Sequence, residues 1–283
     1  MNKKSYLWTK AKARLQLIKT SQGENYNWLF LPGGPGLGSE YLASLTDILE
    51  LPGNIWYLDL PGDGSNLTGD DTLSFSNWSE ALAEAVNALE NVILVAHSSG
   101  GMFALAIPQL KQNLRGLVLL DSAPDASWQH CFKEYTSQNP LPGIGDFNAE
   151  LNKDPSNETM RKQILASLPY YFKTTVTKEH IELFEKLPFN YKSYLWSVNN
   201  FNDTYTAKWI PDNIPTMILG GDSDYLTPLY LFKNSTEFQT ENIMFREIQN
   251  AGHFPWLENP EQVVLAFKEF LESMKCATNR DFY

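Results

Sequence analysis

Cysteine is scarce in this chain: Cys131 and Cys276 are the only two among 283 residues. They lie far apart, with neither a CxxC nor a metal-ligand spacing, which argues against a disulfide framework and for a reducing compartment. Basic charge is also short. Twenty-two Lys and Arg face 33 Asp and Glu, for a net charge of −11. The basic footprint of a nucleic-acid binder, or of a protein docked electrostatically on an anionic membrane, is therefore missing. No apolar run reaches the roughly 18 residues of a membrane span. The N-terminal stretch turns polar again at Thr9-Lys10 and has no apolar signal region. Without such a signal, the Asn-x-Ser/Thr triplets at Asn66, Asn77, Asn157, Asn202 and Asn234 read as chance matches. The expectation is a soluble, cytoplasmic protein with no nucleic-acid and no membrane partner.

What is present is core. Hydrophobic residues make up 43% and aromatics 13%, well above disordered composition. The length suits one large domain with an insertion, or two modest ones. Short apolar runs alternate with helical patterns, as in a parallel sheet covered on both faces. The runs are 28–31, 55–58, 91–96, 116–120, 216–219 and 243–248. Helices are predicted over 78–89, with Leu82, Ala85, Val86 and Leu89 on one face, and over 102–110. A last helix starts with Asn259 as N-cap and Pro260 in its first turn. Between residues 122 and 208 the pattern becomes polar, aromatic and helical in places. An excursion that long is a subdomain rather than a loop. The reading is an α/β core of residues 1–121 and 209–283, with 122–208 as an inserted helical cap over the carboxyl ends of the strands.

The strongest chemical signal is Ala96-His97-Ser98-Ser99-Gly100-Gly101, set between a strand and a helix. A serine on such a turn presents its hydroxyl above the sheet, provided that the residues two before and two after it are small. Ala96 and Gly100 meet that condition around Ser98, whereas centring the turn on Ser99 would put His97 in a small-residue position. A serine hydroxyl needs a base, and the chain has four histidines. His97 adjoins the nucleophile and is expected to point away from it. His130 and His180 lie in the insertion. His253, in Gly252-His253-Phe254-Pro255 between the last strand and last helix, is the expected base. For the acid that orients it, Gly221, Asp224 and Pro228 have the fitting spacing, while Asp222 reads as a turn cap. Asp121, at the end of the preceding strand, is the rival.

An oxyanion forming on the carbonyl needs preorganised N–H donors. The Ser99 amide is one candidate, and the Gly34 amide in Pro32-Gly33-Gly34-Pro35-Gly36 is the other. Prolines have no N–H to give. No Gly-Lys-Ser/Thr follows these glycines, which speaks against a phosphate loop. The chemistry calls for no metal or organic cofactor.

Together these residues resemble the α/β-hydrolase superfamily over nearly the whole chain outside the insertion. The resemblance implies the α/β-hydrolase fold and a Ser98–His253–Asp224 acyl-enzyme mechanism on a small ester, amide or short peptide. The glycine loop also looks like the His-Gly-Gly-Pro-Gly segment of the proline iminopeptidases, with Pro32 in place of the histidine. An aminopeptidase of that kind would need carboxylates in the insertion for the free α-amine, and Glu134, Glu150, Glu179, Glu182 and Glu185 are available. A third reading keeps the triad on a ligand-binding protein that turns over slowly or not at all. Aromatics at 170–172, 184, 189, 191, 194, 196 and 201 would shape an apolar pocket. The sequence sets neither the substrate nor the oligomeric state.

Overall fold

A computed structural model describes residues 5–67 and 75–280, with side chains as far as Lys275. Cys276 lies outside the described side chains. The eight strands are β1 (Ser5–Trp8), β2 (Arg14–Ser21), β3 (Asn27–Leu31), β4 (Gly53–Asp59), β5 (Val92–His97), β6 (Leu114–Leu120), β7 (Thr216–Gly221) and β8 (Ile243–Ile248). They form one sheet in the order β1-β2-β4-β3-β5-β6-β7-β8. β1 and β2 pair antiparallel, as do β2 and β4, and every other neighbour pair is parallel.

The helices are α1 (Ala43–Thr46), α2 (Trp78–Asn87), α3 (Ser99–Leu105), α4 (Trp128–Gln138), α5 (Ile144–Lys153), α6 (Asn157–Tyr171), α7 (Lys178–Glu185), α8 (Tyr191–Asn200), α9 (Tyr230–Lys233), α10 (Pro255–Glu258) and α11 (Pro260–Arg280). Five of them, α4 to α8, occupy the stretch between β6 and β7.

The period-2 geometry of a strand sends alternate side chains to opposite faces, so a strand covered on both faces is apolar throughout. β3, β5 and β7 are buried at every position. Leu29, Leu31, Leu94, Ala96, Leu117 and Leu119 join the core under α2 and α3. Their neighbours Trp28, Phe30, Ile93, Val95, Val118 and Leu120 join a second core against Phe267, Phe270 and Met274 of α11.

One expectation changes, and one pair of strands had no counterpart in the sequence reading. The helix placed over 102–110 instead starts at Ser99 and stops at Leu105, and a 3-10 turn follows over Pro108–Gln112. Pro108 is the cause, because it lacks an N–H and forces the preceding Ile107 into extended backbone. The antiparallel pair β1 and β2 gave no clear apolar run. β1 is mostly exposed and β2 is polar over its second half.

Candidate active site

Ser98 sits between β5 and α3 with φ +54° and ψ −126°, a backbone conformation that L side chains rarely adopt. Two close approaches hold the turn. A Cβ at Gly100 would lie 2.5 Å from the Pro32 carbonyl oxygen, and one at Gly33 would lie 2.5 Å from the Ser98 Cβ. Both neighbours therefore have to be glycine for the β3 loop to touch the elbow. The backbone at Ser98 is tied down from below, its N–H donating to Leu120 O at 2.9 Å and its carbonyl accepting from the Ser122 hydroxyl at 2.8 Å.

His253 Nε2 lies 3.0 Å from Ser98 Oγ, and His253 Nδ1 lies 2.9 Å from Asp224 Oδ2. A carboxylate only accepts, so Nδ1 carries the hydrogen. That leaves the Nε2 lone pair to accept from the serine hydroxyl. Asp224 is buried, and burial alone would raise its pKa. His253, the Thr227 hydroxyl and the Thr227 amide outweigh burial and hold it below the ordinary carboxylate value. Asp224 Oδ2 accepts from Thr227 Oγ1 at 2.8 Å, and Oδ1 accepts from the Leu226 amide at 2.9 Å. Asp222, expected as a turn cap, accepts the amides of Asn250 and Ala251 and so braces the loop that carries His253. Asp121 lies behind this row, with one oxygen taking the Gly221 amide at 2.9 Å.

His97 points away from Ser98 into a second network. Its Nε2 lies 3.0 Å from the His253 carbonyl, which can only accept, so Nε2 carries the hydrogen. Nδ1 then accepts from the Tyr41 hydroxyl at 2.9 Å, and that hydroxyl accepts the Gly33 amide at 2.7 Å. Burial first, and the adjacent His253 second, push the His97 pKa well below its ordinary value, so the ring is neutral. The Gly33 amide is thus spent on Tyr41. Among the described residues the Gly34 amide has no protein acceptor, and the Ser99 amide, first in α3, has no carbonyl four residues back within the helix. The loop itself is anchored by Asp63, whose Oδ1 accepts the Gly36 amide at 2.7 Å. Tyr41, Thr227 and Asp63 carry no local motif, so their parts in the site are visible only in the fold.

The site opens on a cavity of about 620 Å³ lined by the glycine loop, Ser98, Ser99, His253 and helices α4 to α8. Of the aromatics expected there, Tyr170, Tyr171, Phe184 and Tyr194 line it. Phe172, Phe189 and Phe201 are buried in the cores instead. None of the five candidate glutamates lines it, and Lys133 is the only permanently charged lining residue among those described.

A family model described as the alpha/beta hydrolase family matches residues 28–266. The chain belongs to that family. A Mycoplasma genitalium protein named as an esterase/lipase is 25% identical to this hydrolase over 250 residues, covering 85% of this chain and 88% of that one. A proline iminopeptidase of Saccharolobus solfataricus is 24% identical over 284 residues, covering 89% and 87%. Among solved structures, an esterase from Exiguobacterium antarcticum superposes with a TM-score of 0.71 at 15% identity, over 95% of this hydrolase and 99% of that chain. A proline iminopeptidase-related protein from Thermus thermophilus reaches the same TM-score at 22% identity, covering 96% and 98%. At these identities the structural likeness speaks for the fold. In this hydrolase, as in open α/β sheets generally, the candidate groups gather outside the carboxyl ends of the strands.

Proposed function

We propose that this hydrolase cleaves small, uncharged carboxylic esters through an acyl-enzyme, with amides as the slower variant. The carrying observation is the hydrogen-bonded row Ser98–His253–Asp224 opening onto a cavity of predominantly neutral lining. Ser98 Oγ attacks the carbonyl carbon while His253 Nε2 takes its proton, and Asp224 holds the tautomer and offsets the imidazolium charge. The tetrahedral oxyanion faces the unspent amides of Gly34 and Ser99, a pair worth several kcal/mol of barrier in such sites. His253 then returns the proton to the leaving group, and a water repeats the sequence on the acyl-enzyme. Residues 122–208 serve as the cap, supplying the cavity wall opposite the elbow.

The neutral lining favours an ester over a peptide with a free α-amine. A buried ammonium needs a carboxylate partner, and Glu134, Glu150, Glu179, Glu182 and Glu185 all lie outside the cavity. The test is turnover of short p-nitrophenyl esters beside proline p-nitroanilide, with a fluorophosphonate label on wild type and Ser98→Ala. Ester turnover is expected, with labelling lost in the variant. Persistent labelling of Ser98→Ala would overturn the nucleophile. Faster turnover of proline p-nitroanilide than of any ester would return the aminopeptidase reading, and no more than one turnover per site would return the ligand-binding one.

A further inference from the structure

Asp121 is a carboxyl group that the reaction above does not use. It is 1% exposed, at the end of β6, and its φ of +42° is one that Asp, Asn and Gly accept more readily than other residues. Its Oδ1 accepts the Gly221 amide, whereas its Oδ2 is buried with no acceptor or donor assigned to it. One of its oxygens, a carboxylate oxygen of Asp224 and a ring nitrogen of His253 all lie within 4.8 Å of one another. Two ionised carboxylates that close in a buried site repel strongly. Asp224 already has four polar contacts that favour its charged form: His253 Nδ1, the Thr227 hydroxyl and the amides of Leu226 and Thr227 all point at it. Asp121 has one.

We propose that Asp121 is a neutral carboxylic acid whose Oδ2–H donates to the Asp224 carboxylate, so that the acid of the triad is a two-carboxyl unit with a single negative charge. An orphan buried oxygen is costly as an acceptor without a donor, but as the O–H of an acid it has a carboxylate to bond. The charged groups acting on Asp121 are Asp224 and Glu258, both negative, with the His253 ring beyond Asp224. Burial first and Asp224 second raise the Asp121 pKa well above the ordinary carboxylate value, in the same direction as the geometry. Asp121 is thus a positioning residue. It touches no substrate and acts by fixing Asp224 and dispersing its charge.

The inference rests on the triad reading, and the experiment separates the two. The acid limb of kcat/KM against pH reports the ionisation of His253 in the free enzyme. Asp121→Asn keeps an acceptor for Gly221, a donor for Asp224 and the backbone preference, and removes only a titratable proton. If Asp121 is neutral, the acid limb of Asp121→Asn stays where the wild type has it. If Asp121 is ionised, the same change removes a unit charge within 4.8 Å of the ring. The limb would then fall by about 2.5 pH units at an effective dielectric of about 20, and the inference would be overturned. Asp121→Gly, which suits the positive φ but has no donor, is expected to lose about tenfold or more in kcat/KM and to raise the limb. Should Asp121→Gly fail to fold, the limb of Asp121→Asn still decides. Full activity of Ser98→Ala would sink the triad reading itself, whereas an inactive Ser98→Ala with a shifted Asp121→Asn limb would sink only the role of Asp121.

Discussion

At the scale of single residues, the site is two hydrogen-bonded rows that cross at His253. One runs Ser98–His253–Asp224 through the ring nitrogens. The other runs Gly33–Tyr41–His97 to the His253 carbonyl. The second row couples the glycine loop to the histidine loop, so the amides of Gly34 and Ser99 and the His253 ring keep a fixed relation. Tyr41→Phe removes the hydroxyl that joins the rows and leaves the Gly33 N–H and His97 Nδ1 buried without partners. Unsatisfied buried groups cost about 1–3 kcal/mol each. The variant is expected to melt several degrees lower and to lose about tenfold in kcat with KM little changed, since only the transition-state geometry suffers. Thermal unfolding and steady-state ester kinetics check both. An unchanged kcat would show that the second row is merely structural.

At the scale of elements, the decisive contact is the β3 loop against the β5–α3 elbow. A methyl at Gly100 would sit 2.5 Å from Pro32 O and 3.0 Å from Leu31 O, both backbone atoms that cannot swing aside. Gly100→Ala is therefore expected to cost roughly 1–3 kcal/mol, as overpacking does. The Tm should fall by roughly 3–10 °C, with loss of activity greater than the loss of folded protein. Differential scanning calorimetry beside active-site titration separates the two. The insertion joins the core at a comparable clamp, where Glu258 accepts the amides of Gly252 and Thr174 and the Thr174 hydroxyl. His253 N–H also donates to Tyr171 O at the end of α6. The positions of β3 to β8 and the elbow register were readable in the sequence because buried runs and small-residue spacing are local patterns. These clamps were not, since their partners lie some 80 residues apart.

At the scale of the whole molecule, buried carboxyls shape the response to pH. Burial first and Asp59 second push Asp63 up to about 7, against an ordinary 3.8. A raised folded-state pKa means that the native state binds more protons than the unfolded one. Stability from this group is then fully present below about 4 and is lost as pH rises through about 7. At about 1.4 kcal/mol per pH unit the shift amounts to about 4 kcal/mol. Asp63→Asn is expected to flatten the decline of Tm between pH 5 and pH 8, while keeping an acceptor for the Gly36 amide. Melting curves of both proteins across that range give the answer, and parallel declines would remove Asp63 as the source.

The sequence by itself determined the α/β class, the elbow register at Ser98, and the candidates His253 and Asp224, because each rests on patterns a few residues long: buried runs, a small-residue turn, a glycine before a loop residue. It left Asp121 as a rival to Asp224, since both follow a strand and both are aspartates. Only the tertiary structure placed Asp224 on His253 Nδ1 and Asp121 behind it, a matter of which strand end faces the histidine loop. It likewise decided that the cavity wall carries no carboxylate among its described residues. The direction in which a glutamate on a helix points depends on how that helix packs, and packing is a property of the folded whole.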